Sequence, residues 1–141
     1  MAFNRLTRGV ALVGGVVSTG SSKTRGVHAV KRTAATIADG AAMTASAANI
    51  VTNTIVSATP TAARDITTAT GAQIIALLGG AAAGDCTEFT IINLAAATHV
   101  LTLVAGATGV TLVGLATVQP ASSATWFVRY DSATGVTFYR K

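Results

Sequence analysis

In residues 84–141 the apolar positions fall into short β-branched runs, cut apart by glycine or by small polar turns. The runs cover residues 86–94, 98–104, 109–113, 123–130 and 135–140, and each predicts a strand. A strand with one wet face should alternate cleanly between apolar and polar side chains. Here Phe89 and Ile91 point one way while Ile92 and Leu94 point the other, and Trp126, Val128 and Tyr130 oppose Phe127 and Arg129. Both faces of these strands are therefore expected to find cover. In so short a chain the simplest source is a sister subunit.

Upstream the pattern changes. Residues 65–70 lead into residues 71–78, the best helix candidate of the chain. Thr70 and Gln73 stand at capping-box spacing, Ile74, Leu77 and Leu78 make one apolar face, and Gly79 with Gly80 supplies the stop. Two turns of helix are not stable alone, so packing must hold this element, as a plug at the end of a sandwich. Residues 33–60 are rich in Ala, Thr and Ser, with a turn at Asp39 and Gly40. Alanine favours helix over residues 34–48, but Thr36, Thr44, Ser46 and Gly40 oppose it, and no apolar stripe runs along it. Residues 50–57 predict a strand ended by Pro60. The division expected is an arm and linker over residues 1–60, with one or two strands in residues 1–32, and a β-domain over residues 61–141. One short echo stands out: Ala107-Thr-Gly-Val-Thr111 recurs as Ala133-Thr-Gly-Val-Thr137, and both predict hairpin turns with glycine at positive φ.

Composition sharpens this picture. Of 141 residues half are apolar, but alanine supplies 29 of them, and nine Leu, four Phe, two Tyr and one Trp are the large anchors. Burying a Leu or Phe gains about 1.5–3 kcal/mol and an alanine methyl much less, so the core of a lone copy is expected to be thin. Oligomerisation is a common remedy. The net charge is +5, and it is lopsided: Arg5, Arg8, Lys23, Arg25, Lys31 and Arg32 occupy residues 1–32 without an acid. Such a segment suits an acidic protein surface, nucleic acid or anionic lipid. Only Phe3 interleaves with the bases, which disfavours nucleic acid. The longest strongly apolar run, residues 9–17, is too short to cross a membrane as a helix.

Catalytic and metal-binding patterns do not assemble. The segment from Gly15 to Thr24 imitates a P-loop, but Ser21 and Ser22 separate Gly20 from Lys23, which belongs directly after the glycine. His28 and His99 stand far apart and in no metal-ligand spacing. Cys86 lies beside Asp85 and Glu88, which would disfavour a thiolate, so it reads as a small buried apolar residue. Asp131 reads as an Asx cap on the turn to Gly135 in preference to a calcium ligand. No enzyme, cofactor, metal or small-molecule substrate is expected.

Residues 66–141 resemble a β-domain of tailed-bacteriophage virion proteins. The matching pieces are Thr70-Gly-Ala-Gln-Ile74, Gly84-Asp85, Phe89-Thr-Ile-Ile-Asn93, Leu101-Thr-Leu103 with Ala105-Gly106, and Gly109-Val-Thr-Leu112 with Gly114. Ser123-Ala-Thr-Trp-Phe-Val-Arg129 and Val136-Thr-Phe-Tyr-Arg140 complete the order. The resemblance implies an all-β fold, a compact jelly-roll-like sandwich or barrel with one short helix. It also implies a homotrimer, on the exterior of the virion, in capsid decoration (cement) proteins, head fibres or tail spikes. For a cement protein the partner is the major capsid protein. The contact arm would then be Arg5, Arg8, Val10, Leu12, Val13, Val16, Lys23, Arg25, Lys31 and Arg32. Core and trimer packing would fall to Phe89, Ile91, Leu101, Leu103, Leu112, Trp126, Val128 and Phe138. A receptor-binding fibre or spike would instead use exposed aromatics, with Trp126, Tyr130 and Tyr139 as candidates, and a secreted bacterial adhesin subunit is the other alternative.

Overall fold

Successive strands are laid almost strictly in turn onto two sheets, and this winding sets the fold. The computed structural model describes residues 33–141. Its strands are β1 (Ala35–Thr36), β2 (Met43–Ala45), β3 (Ile55–Ala58), β4 (Arg64–Thr68), β5 (Cys86–Asn93), β6 (Leu101–Val104), β7 (Val110–Val113), β8 (Thr117–Val118), β9 (Ser122–Ser132) and β10 (Gly135–Arg140). Helix α1 (Gly71–Leu77) follows β4, and a π-helical turn (Asn49–Asn53) precedes β3. One sheet has six strands in the order β1-β3-β5-β9-β10-β7, and the other has four in the order β2-β4-β6-β8.

Parallel neighbours need a long crossover, usually a helix. Here each crossover is a strand of the opposite sheet. Ala35 lies beside Val56 and Met43 beside Ile66, steps of 21 and 23 residues along the chain. In the next coil Val56 lies beside Ile91 and Ile66 beside Leu103, steps of 35 and 37 residues. The second coil is longer because α1 and the loop after it are inserted between β4 and β5. The winding ends with β9, antiparallel to both β5 and β10, and with β8 antiparallel to β6.

The all-β expectation with one short helix holds, and several finer expectations change. Parallel pairs dominate, whereas a jelly roll is built from antiparallel neighbours, and each sheet keeps two edges among the described residues instead of closing as a barrel. The β-domain does not begin at residue 61, because β1, β2 and β3 already belong to the two sheets. Residues 34–46 form two strands and a bend that begins at Gly40, and only Ala47 and Ala48 are helical, leading into the π-helical turn. The two Ala-Thr-Gly-Val-Thr segments are not two hairpins. The second does turn β9 into β10, without positive φ at Gly135, but the first carries the chain from one sheet to the other. The echoed residues end up side by side, with Val110 beside Val136 and Thr111 beside Thr137 in parallel register.

One apolar core lies between the sheets. Trp126, Phe89, Phe138, Ile91 and Val128 enter it from the six-stranded sheet, and Ile66, Leu101, Leu103 and Val118 from the other, all at most 2% exposed. The Phe89 ring meets Trp126 at 6.4 Å between centroids and Phe138 edge-on at 6.3 Å. Such pairs add about 0.5–1.5 kcal/mol each beyond the area they bury. An apolar core is therefore formed within one copy, against the expectation of a thin one, because Trp126, Phe89 and Phe138 and most of the larger aliphatic side chains of the strands fall on the inward set. Asn93, 1% exposed, pins the sheets together. Its Nδ2 donates to the carbonyls of His99 (2.8 Å) and Val118 (3.0 Å), while Oδ1 accepts from the N–H of Ala95 (3.0 Å).

Helix α1 plugs one end. Its capping box forms as the spacing predicts, with the Thr70 hydroxyl oxygen accepting from the Gln73 N–H and Gln73 Oε1 accepting from the Thr70 N–H. Its inward face is Gly71, Ile74 and Leu78, whereas Leu77 is 49% exposed because seven helical residues turn it away from the sheets. Backbone meets backbone at this plug. The Gly71 N–H donates to the Thr108 carbonyl at 2.9 Å, and a Cβ on Gly71 would overlap the carbonyl oxygens of Thr134 and Gly109. Gly109 adds φ +70°, so two constraints exclude a side chain there. Gly109→Ala is expected to lower stability by about 2–4 kcal/mol. Gly40→Ala, at a site with open space and an ordinary φ, should change it by less than about 0.5 kcal/mol. Urea unfolding midpoints of the two variants measure the difference.

Candidate functional site

The inward set fixes what the second face of the six-stranded sheet displays. With Phe89, Ile91, Ala124, Trp126 and Val128 in the core, alternation sends Glu88, Thr90 and Ile92 of β5 and Thr125, Phe127 and Arg129 of β9 to the opposite side. β10 adds Thr137 and Tyr139, and β7 adds Thr111 and Val113. The second apolar set noticed in the sequence thus has no cover among the described residues. Phe127 is 38% exposed, Val113 45% and Leu94, just beyond β5, 54%.

Register matches the charges on this face. Phe127 sits between Glu88 on β5 and Tyr139 on β10. The Lys141 ammonium lies 5.1 Å from the Phe127 ring centroid and 3.0 Å from Glu88 Oε1. Arg129 Nε donates to Asp131 Oδ1 at 2.6 Å, and its guanidinium lies 5.1 Å from the Tyr139 ring centroid. The Thr137 hydroxyl, which donates to Asp131 Oδ2 at 2.6 Å, and then Arg129 hold the Asp131 carboxyl below its ordinary range. Asp131 in turn raises Arg129. Exposed ion pairs of this kind contribute about 0–1 kcal/mol, and a cation over an exposed ring about 0.5–1 kcal/mol. Their larger effect is to leave the face apolar and without an unmatched charge.

Two apolar clefts accompany it. One, of about 410 Å³, lies where β5 ends and β9 begins, between Ile92, Leu94, Ala95, Ala121 and Ser123. The other, of about 440 Å³, lies between α1 and the residues around β2 and β4, lined by Thr44, Ala47, Ala69, Gln73, Ala76 and Leu77. Neither is lined by an acid, a base or a thiol. Among the described residues no three His, Cys, Asp or Glu side chains gather as metal ligands, and no helix is long and apolar enough to cross a membrane.

Most of the residues singled out in the sequence change meaning here. Seven of the eight proposed for core and trimer packing, all but Leu112, are buried inside a single copy, and Leu112 packs half-buried against them. Those seven cannot form a subunit surface. Cys86 is exposed at the start of β5, with Sγ 3.5 Å from the Gly84 carbonyl, so it is not the buried thiol expected. His99 precedes β6 and contributes its carbonyl to Asn93. Asp131 does not cap the turn; the Ser132 hydroxyl accepts from the Thr134 N–H at 3.4 Å while Asp131 holds Arg129 and Thr137. The arm residues, from Arg5 to Arg32, lie outside the described residues, as do His28 and the Gly15–Thr24 imitation of a P-loop.

A second carboxylate, remote from the open face, carries the pH dependence. Asp39 accepts from Arg64 Nε at 2.8 Å and from the Thr61 N–H at 3.1 Å and hydroxyl, tying the segment after β1 to the start of β4. The Arg64 hydrogen bond, then that of Thr61, holds this carboxyl far below the usual carboxylate value of 3.8. A folded-state value depressed in this way gives stability that is complete above the unfolded value. It is lost as pH falls below about 4 toward the folded value. Urea midpoints measured from pH 6 downward should therefore decline below pH 4, with Asp131 contributing to the same limb, and Asp39→Asn should remove part of that decline while lowering the neutral plateau. Set against protein-family models, curated proteins and solved structures, the chain matches none.

Proposed function

We propose that this chain is a structural subunit of a tailed-phage virion, a decoration protein that gathers in threes on the head exterior and bridges major capsid subunits. The open face of the six-stranded sheet carries the reading. It presents Phe127 and Leu94 to solvent, with Ile92 half-buried beside them and its charges already matched, as a surface does that meets protein. Sister copies would cover it around the threefold axis. The basic, partly apolar segment of residues 1–32 would reach along the seam between capsid subunits, pairing its bases with acidic side chains there. Several such segments on one trimer bind through effective concentration, so modest individual contacts suffice. The mechanism is mechanical: bridging raises the cost of separating capsomers under internal pressure. It uses no cofactor, metal or small-molecule substrate.

The resemblance of residues 66–141 to virion β-domains supports the same reading. A glycan-binding spike is less well served, since Trp126, its best stacking candidate, is 1% exposed.

Phe127→Asp is expected to abolish threefold association and to lower unfolding stability by about 1–2 kcal/mol, since it removes the Lys141 contact and sets a carboxylate beside Glu88, while leaving the chain folded. Removing residues 1–32 should abolish co-sedimentation with empty capsids and leave the association intact. Light scattering and sedimentation read both. A wild-type chain that stays single at micromolar concentration, or a truncated chain that still coats capsids, would defeat the proposal.

A further inference from the structure

We infer that the free edge of β7 joins two copies of this chain in antiparallel register about a twofold axis, with Leu112 facing its own counterpart. The inference goes beyond the virion reading and does not rest on it.

β7 pairs in parallel with β10, and no other described strand covers it. The Val136 N–H donates to the Gly109 carbonyl at 2.9 Å, and Thr111 stands beside Thr137. Alternation along a parallel pair then turns the main-chain groups of Gly109, Thr111 and Val113 toward β10. Those of Val110 and Leu112 face outward, with no partner among the described residues. Such an edge is a template for another strand, and proteins usually blunt it with lysine, proline, a bulge or brevity. β1 and β8 are two residues long and are blunted by brevity. β7 has four residues and no proline, and residues 100–128 contain no acid or base at all. Val113 is 45% exposed, and Leu115 just after it 65%.

Charge selects the occupant. Residues 33–141 carry four bases and five acids, so neither their net charge nor the uncharged edge draws an acidic or a basic partner, and two copies can meet there without like charges facing. Exposure selects the register: Thr111 or Leu112 on the axis would each pair three residues of β7, and only Leu112 there brings Val113 opposite a strand residue of the other copy. A twofold axis perpendicular to the sheet keeps both cores on one side, so each residue must face one of the same side-chain direction. Leu112 opposite Leu112 meets this on the core side. On the open side it sets each Thr111 opposite the Val113 of the other copy, covering that exposed side chain. The two six-stranded sheets become one continuous sheet.

Light scattering on the full chain should give an even number of copies, a pair or two trimers. Thr111→Lys places an ammonium on an exposed position beside the axis and should halve that mass. Thr111→Lys combined with Val113→Glu sets a carboxylate opposite each lysine and should restore it. The near-ultraviolet circular dichroism of buried Trp126 establishes that each variant is folded. An odd-numbered wild type, an unchanged mass in Thr111→Lys, or a double variant that is folded yet stays halved would overturn the pairing. A chain that pairs but ignores empty capsids defeats the virion reading alone.

Discussion

Neither sheet can be built before the other, and that shared winding is the constraint on which the rest depends. Every parallel neighbour in the first two coils is reached through a strand of the opposite sheet. The connection that a helix would make elsewhere is here a second layer, and the core between the layers is filled from both sides as the chain proceeds. Non-local pairings of this kind impose loop-closure entropy before contacts repay it. The aromatic cluster of Phe89, Trp126 and Phe138 supplies the largest single burial against that cost.

Two devices make the winding compact at its ends. At one, Asn93 satisfies three backbone groups, two in the loop between β5 and β6 and one on β8, which a hydrophobic residue of the same size would leave buried and unpaired. At the other, Gly71 and Gly109 let the plug helix, the entry to β7 and the β9–β10 turn touch through their backbones. This second contact brings the two Ala-Thr-Gly-Val-Thr segments into register, so a likeness in sequence becomes a parallel strand pair.

The same winding decides what remains outside. Because the inward set takes Trp126, Val128, Phe89 and Ile91, the outward set inherits Phe127, Ile92 and Leu94. Lys141 and Arg129 lie over neighbouring rings and pair with neighbouring carboxylates, so the open face attracts by apolar area and not by charge. The apolar clefts at either end contain no reactive group, and the acids at Asp39 and Asp131 are engaged in holding segments together.

Much of the local structure was legible in the sequence. The five β-branched runs mark β5, β6, β7, β9 and β10 because their residues fit a pleated surface, and Thr70 with Gln73 marks the start of α1 because the cap is a local hydrogen bond. The doubled apolar sets of residues 88–94 and 126–130 also announced a second apolar face. What the sequence could not decide was which strands are neighbours. Leu77, Cys86 and the first Ala-Thr-Gly-Val-Thr turn were misread for that reason, since each depends on which sheet the next strand joins. Short strands of similar composition can pair in many orders at similar local cost, and only the simultaneous filling of one core by Trp126, Phe89, Phe138 and their neighbours selects the order observed.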